Sequence, residues 1–400
     1  MPATESFTDA PHTVGSALDL AAALEPRLTE RAADHDRAGT FPAEDFADLR
    51  RAGLLGLMAP ARLGGFGASF AEYAAVAAAL ARGAGSTALI FNMHASVTGA
   101  LAQTPDDLVR QWGAPESFFA ARDAALTAAA QGALYGVAMS ERGTGSRLSR
   151  TATAYRRTAR GFHIGGSKAF VSGAGHVDAY LVTARDPEAE EPRVSYFLVP
   201  AGEGIRVEQT WDSLGMRATG SQDVHFDVEV GPEALLGGME GLTLLLAQVM
   251  PQWLVASYAA VYVGVARSAV EAAAGQVDER GLGRLPAVRA RLGRADAAVA
   301  AAELAVAEAA ARIDEAPGDP DTNRWVWRAK LIAGDTASQV ASSLLEAAGA
   351  SATRRGNPLE RLYRDARCGA LQPATSDVCA DWLGMAALGE DPDEAEAGRW

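Results

Sequence analysis

Cysteine is nearly absent from these 400 residues, occurring only as Cys368 and Cys379. Two isolated thiols exclude a disulfide framework and a cysteine-rich metal site, and their scarcity fits a reducing cytoplasm. Basic side chains are also in short supply, 36 against 50 acidic ones, leaving a formal net charge of -14. That balance argues against nucleic acid and anionic lipid as partners. The start, Met1-Pro-Ala-Thr-Glu-Ser, lacks the basic end and apolar stretch of a secretory signal, so no export is expected. The longest uncharged run is Gly241 to Ala266. Gln248, Pro251, Gln252, Ser257, Tyr258 and Tyr262 interrupt it, so it reads as the centre of a helical bundle and not as a membrane span.

What is present is a globular composition, 48% apolar and 22% charged. From Leu18 to about Arg122 the chain is Ala- and Leu-rich with helical spacing, broken by Pro60-Ala-Arg-Leu-Gly-Gly-Phe-Gly. Between Tyr135 and about Val230 the texture changes to short Val-, Tyr-, Phe- and Thr-rich segments separated by Gly, Asp and Pro. Asp186 to Pro192 reads as a solvated hairpin loop. Helical patterning returns after Gly241, with helices expected over Ala287 to Ile313, over about Asn323 to Ala348, and from near Thr375. The fold class is therefore α+β by segregation. A helical domain is expected over 1–134, a β domain over 135–240 and a helical bundle over 241–400.

Three segments carry candidate chemistry. Ala138-Met-Ser-Glu-Arg-Gly-Thr-Gly-Ser146 places glycines and hydroxyls after a strand, where backbone N–H groups can approach an anionic or carbonyl-rich ligand. Gly165-Gly-Ser-Lys-Ala-Phe-Val-Ser-Gly-Ala-Gly175 follows, and then Trp211-Asp-Ser-Leu-Gly-Met-Arg-Ala-Thr-Gly-Ser221. In this order the three resemble the middle domain of acyl-CoA dehydrogenases. The resemblance extends upstream to Leu49 through Gly56 and Pro60 through Gly67, and downstream to Pro358-Leu-Glu-Arg361 and Arg364-Asp-Ala-Arg367. It implies an N-terminal helical domain, a β-barrel-like domain and a C-terminal four-helix bundle. It further implies FAD, in preference to FMN, and a homotetramer or homodimer.

By that resemblance Met139 and Ser140 line the flavin's pyrimidine side, Ser146 meets the pyrophosphate or the substrate entrance, and Phe170 covers the ring. Ser172 takes the position of a hydroxyl donor beside flavin N5, unless it merely satisfies its own turn. Arg217 and Ser221 fall near the ring or substrate, with a structural ion pair the alternative for Arg217. Arg280 and Gly349 are what remains of the segments that reach the cofactor across a subunit interface.

The departures matter as much. The family's catalytic glutamate, which removes a substrate α-proton while hydride leaves for the flavin, is replaced by Pro373. Its alternative position, at the start of the long apolar helix, falls within Gln252-Trp253-Leu254-Val255. His94 is a candidate substitute because its unperturbed pKa suits proton transfer near neutrality, although a satisfied core histidine is the alternative. Asp377 is another candidate, or else a first-turn dipole partner. Tyr258 and Gln372 are candidate substrate contacts. Gln372 occupies the place of a histidine common in oxygenating relatives.

Three functions stay open. One is Cα–Cβ desaturation of an acyl thioester, on CoA or a carrier protein, with a relocated base and an electron-transfer partner. Another is monooxygenation with reduced flavin from a separate reductase. The third is a non-catalytic partner subunit.

Overall fold

The computed structural model describes residues 14–191 and 193–392. Met1 through Ser6 and Pro192 lie outside the described residues. The N-terminal part is helical: α1 (Val14–Ala38), α2 (Ala43–Arg51), α3 (Phe70–Gly83), α4 (Gly85–Gln103), α5 (Asp106–Gln111) and α6 (Glu116–Ala130). Ser69 and Glu72 form a reciprocal capping box that fixes where α3 begins. α4 is buried along nearly its whole length, so it runs through the centre of the molecule.

Seven strands follow: β1 (Tyr135–Ala138), β2 (Ala154–Thr158), β3 (Gly161–Val171), β4 (Ala179–Arg185), β5 (Val194–Pro200), β6 (Ile205–Glu208) and β7 (Gln222–Val230). They form one curled sheet in the order β1-β4-β2-β3-β7-β6, with β5 also paired to β4. β4 and β5 are antiparallel, from Arg185↔Val194 to Ala179↔Pro200, which makes the Asp186 segment a hairpin connection as expected.

The C-terminal part holds α7 (Leu242–Val249), α8 (Ala256–Glu279), α9 (Pro286–Glu315), α10 (Pro320–Ala348), α11 (Pro358–Arg367) and α12 (Ser376–Ala387). Pro251 divides the uncharged run into α7, a 3-10 turn at Pro251–Trp253, and α8. The segment Pro251–Glu279 is long and apolar enough to cross a membrane, yet 78% of its apolar window is buried inside the protein. α8 packs against α3, α9 and α10. Where α8 meets α3, a Cβ on Gly264 would stand 2.3 Å from the Ala78 carbonyl oxygen, so only glycine permits this approach. The helical, β, helical order expected from the sequence is the observed one.

A polar junction ties the three parts together. The buried Arg364 of α11 donates to both oxygens of Asp36 on α1, at 2.9 and 2.6 Å, and to the Leu214 carbonyl at 3.0 Å. Glu360 accepts two further bonds from it, at 2.7 and 3.0 Å. Burial works against the guanidinium's charge, but these carboxylates more than offset it and hold the pKa above its usual value. Next to it, Asp365 accepts from the Met216 backbone N–H at 2.6 Å.

Candidate active site

A cavity of about 390 Å³ opens where the three parts meet. α4 supplies Met93, Val97 and Leu101, the β domain supplies Met139, Ser140 and Phe170, and the C-terminal part supplies Met250, Trp253 and Tyr258 together with Pro373 to Thr375. Its walls are largely apolar.

The β side is built from the first two motifs. Glu141 turns inward, accepting from the Ala152 and Thr153 N–H groups at 2.7 and 2.9 Å and from Lys168 at 2.7 Å. Lys168 also donates to Thr183 Oγ1 at 2.8 Å and to the Met139 carbonyl at 3.2 Å. Burial pushes the Lys168 pKa down to about 8 against the pull of Glu141. This buried pair pins the loop from beneath and leaves Ser140 and Ser146 facing the cavity. Arg147 beside them lines it too and is exposed, and Thr144 Oγ1 is buried without a hydrogen-bond partner.

Phe170 reaches the cavity through a local device. The β3–β7 register shifts between Lys168 and Val171, and Phe170 has φ 58. A bulge with a left-handed residue re-aims one side chain out of the strand's alternation. The ring is 64% exposed as a result, and it meets Trp211 edge-on with centroids 6.0 Å apart.

Other expected residues lie elsewhere. Ser172 is buried outside the lining, in a hydroxyl chain: Ser172 Oγ lies 2.9 Å from Ser221 Oγ, which is 2.7 Å from Thr219 Oγ1. Thr219 donates to the Met216 carbonyl at 2.8 Å. Because the chain ends on a carbonyl, Ser221 must donate to Thr219 and Ser172 to Ser221, so the Ser172 proton is engaged within the protein. Ser221 is thus a link in this chain and lies outside the cavity lining. Arg217 is also structural, bonding the Asp36 carbonyl at 3.0 Å, the Ser213 carbonyl at 3.0 Å and Asp212 at 3.1 Å.

His94 is corrected as a base. Its Nδ1 accepts from the Tyr135 N–H at 3.0 Å, which places the proton on Nε2, and that donates to the Leu55 carbonyl at 2.7 Å. Burial lowers its pKa from 6.5 to about 4, and it lies outside the cavity lining. Asp377 is exposed and points off the cavity; the face of α12 that lines it carries Val378, Asp381, Trp382 and Met385, a helical stripe. Gln372 donates to Tyr262 Oη at 2.9 Å and is not in the lining. Arg280 and Gly349 do come together. A Cβ on Gly349 would lie 3.5 Å from the Arg280 guanidinium, which bonds the Ala348 carbonyl and, at 2.8 Å, Ser351 Oγ.

Tyr258 lies on the cavity wall, its hydroxyl 3.8 Å from Met93 Sδ. Sequence reasoning missed Arg147 and Asp381, the two charged residues of the lining among the described residues. Arg147 adjoins a candidate, Ser146, and Asp381 is one turn beyond another, Asp377. It also missed the apolar wall, whose residues carry no local signal.

Three family descriptions match in order: the acyl-CoA dehydrogenase N-terminal domain over residues 19–111, the middle domain over 136–228 and the C-terminal domain over 256–376. L-evernosamine nitrososynthase from Micromonospora sp. is 31% identical over 94% of this chain and 90% of that protein. Among solved structures, KijD3 in complex with FMN and a dTDP-amino-keto sugar superposes with a TM-score of 0.83 at 28% identity, covering 98% of this chain and 96% of that one. FMN-bound TdsC, a dibenzothiophene monooxygenase from Paenibacillus sp. A11-2, gives 0.81 at 28% identity over 93% of this chain and 97% of that one. With every domain matched over most of its length, the chain belongs to the acyl-CoA dehydrogenase family of flavin-dependent oxidoreductases.

Proposed function

We propose that this oxidoreductase is a monooxygenase. The observation that carries the reading is the cavity interior. Met93, Val97, Leu101, Met250, Trp253 and Tyr258 meet there, the one carboxylate of the lining among the described residues is the exposed Asp381, and Pro373, which the family resemblance sets in place of the α-proton base, lines the same cavity. Oxygen insertion needs no such base. Relatives that carry out nitrososynthesis and dibenzothiophene oxygenation are similar over nearly the whole chain, which supports the same choice.

The residues present fit a flavin. Phe170 offers a ring face, Met139 and Ser140 flank it, and the Ser146 hydroxyl and Arg147 guanidinium suit a phosphate. The buried Thr144 hydroxyl lacks a partner in the same loop, as a loop built to close on a ligand would. FAD is the cofactor the family pattern implies, and FMN shares the half that these residues address. When bound and reduced, the flavin supplies two electrons to O2, so that one oxygen atom enters the substrate and the other leaves as water. The chain's own residues exclude bulk water, orient the substrate against Phe170 and hold the phosphate. Reduced flavin comes from a separate reductase. Exposed Leu304 on α9 and Ile332 on α10 support self-association of the chain as a tetramer or dimer.

A second reading rests on one residue. Asp381 is an exposed carboxylate in the lining, and it suits the role of relocated base in Cα–Cβ desaturation of a thioester on CoA or a carrier protein. One pair of measurements separates the two. Monooxygenation predicts that label from 18O2 enters the product when reduced flavin is supplied, and that butyryl-CoA leaves the oxidised flavin unbleached without oxygen. Anaerobic bleaching by the thioester would overturn it in favour of desaturation.

A further inference from the structure

We infer that the substrate is a compact, uncharged, ring-bearing molecule with one hydrogen-bond acceptor, and that the Tyr258 hydroxyl reads that acceptor. The inference rests on the monooxygenase reading of the same cavity and names what enters it.

The charge of the lining excludes polyanions. Among the described residues its charged members are Arg147 and Asp381, both exposed and therefore both at the open end. A nucleoside diphosphate or a CoA arm brings two or more negative charges, whereas the lining offers one cation and an opposing carboxylate. Arg147 is, moreover, the group best placed for the flavin's own phosphate. Moving an uncompensated anion past that point into an apolar chamber is strongly unfavourable.

The polar atoms inside select further. Ser96 and Thr104 face the chamber, but their hydroxyls are spent on carbonyls of their own helix, Ser96 on Asn92 at 2.8 Å and Thr104 on Ala100 at 2.5 Å. The Trp253 indole N–H has no partner but is itself buried, which leaves two phenols in the lining, Tyr196 and Tyr258. Tyr196 is 8% exposed and packs among the leucines of the β5 side. Tyr258 is more open, and the partner of its hydroxyl is a thioether sulfur at 3.8 Å, a weak acceptor. Burial raises its pKa, so the phenol keeps its proton and acts as a donor. An oxygen or ring nitrogen on the substrate exchanges that poor acceptor for a good one. The remaining walls reward flat apolar surface, Trp253 and Met250 above all. The flavin takes part of the cavity's about 390 Å³, so the space left suits a compact molecule.

The test uses the whole flavin-loaded protein in its oxidised state and reads binding alone, by equilibrium dialysis at pH 8. The probes are quinoline, its acceptor-free counterpart naphthalene, CoA and uridine diphosphate. Quinoline is expected to bind at least tenfold more tightly than either anion. Tyr258→Phe is expected to weaken quinoline about tenfold while leaving naphthalene within twofold, and Tyr196→Phe to leave both within twofold. Met93→Leu, which removes the competing sulfur and keeps the phenol, retains the preference for quinoline and guards against a folding artefact. Tighter binding of CoA or uridine diphosphate overturns the substrate class. Equal loss of quinoline and naphthalene in Tyr258→Phe, or loss of the preference in Met93→Leu, overturns the role of Tyr258. Neither result touches the oxygenation reading, which the 18O2 label decides separately.

Discussion

The junction around Arg364 and the chamber beside Tyr258 lie in one molecule and are made of opposite materials. At the junction a single guanidinium makes five hydrogen bonds to Asp36, Glu360 and the Leu214 carbonyl, and Asp365 closes on the Met216 N–H. In the chamber, thioethers, aliphatic chains and the Trp253 and Trp382 indoles face one another, and the Tyr258 phenol rests on sulfur. The family signatures after Gly215 and at Arg364 to Arg367 concentrate at the junction, where a polar network demands particular side chains. The chamber is lined mostly by apolar residues, where many side chains serve equally well. Sequence resemblance therefore marks the framework strongly and the substrate weakly.

The largest expected effect comes from breaking the junction. Arg364→Met leaves Asp36 and Glu360 facing each other half-buried without their shared cation. Loss of one partner from a buried charge cluster costs about 3–5 kcal/mol, read as a lower midpoint in urea unfolding. An effect below about 1 kcal/mol would mean that the junction is decorative and the comparison misplaced.

His94 tests the same contrast through pH. Its folded pKa of about 4 lies below the unfolded value of 6.5, so within that window the unfolded chain binds the extra proton. Stability therefore falls as pH drops from 6.5 to about 4, by about 3 kcal/mol in all. His94→Gln is expected to flatten that slope whatever it costs at neutral pH. Turnover, by contrast, is expected to show no ionisation assignable to His94, since both ring nitrogens are engaged.

On the chamber side, a Cβ at Gly99 would stand 2.2 Å from the Trp253 ring. Gly99→Ala is expected to destabilise the protein by about 1–3 kcal/mol through overpacking. It should also push Trp253 into the chamber and weaken quinoline more than Tyr258→Phe does. Unchanged binding would show that the indole yields away from the cavity.

How far the sequence reveals this follows from the physics of each part. The element order is legible because strand-rich and Ala-rich textures differ over tens of residues, and α9, α10 and α12 lie close to their expected spans. Ser140, Ser146 and Phe170 are legible because loops with special backbone demands keep recognisable residues. His94 misleads because its partners, Leu55 and Tyr135, come from distant parts of the chain. Asp377 misleads because it stands only about 40° around the helix from Asp381, which does line the cavity. The apolar wall is silent because Val97, Leu101 and Met250 look like any core residues until the chain has folded around an empty space.

Ser172 is the smallest and sharpest case, because it belongs to a motif yet sits on the junction side of the divide. Its proton runs through Ser221 and Thr219 toward the Met216 carbonyl, which makes it the outer end of a chain whose inner members keep their own acceptors. Ser172→Ala therefore removes one hydrogen bond without orphaning a donor, a loss of about 0.5–1 kcal/mol in stability. Flavin affinity, measured by fluorescence quenching, is expected to stay within twofold. A tenfold loss of affinity would mean that the hydroxyl turns to the cofactor on binding, and that the chain of three is a switchable donor instead of a fixed strut.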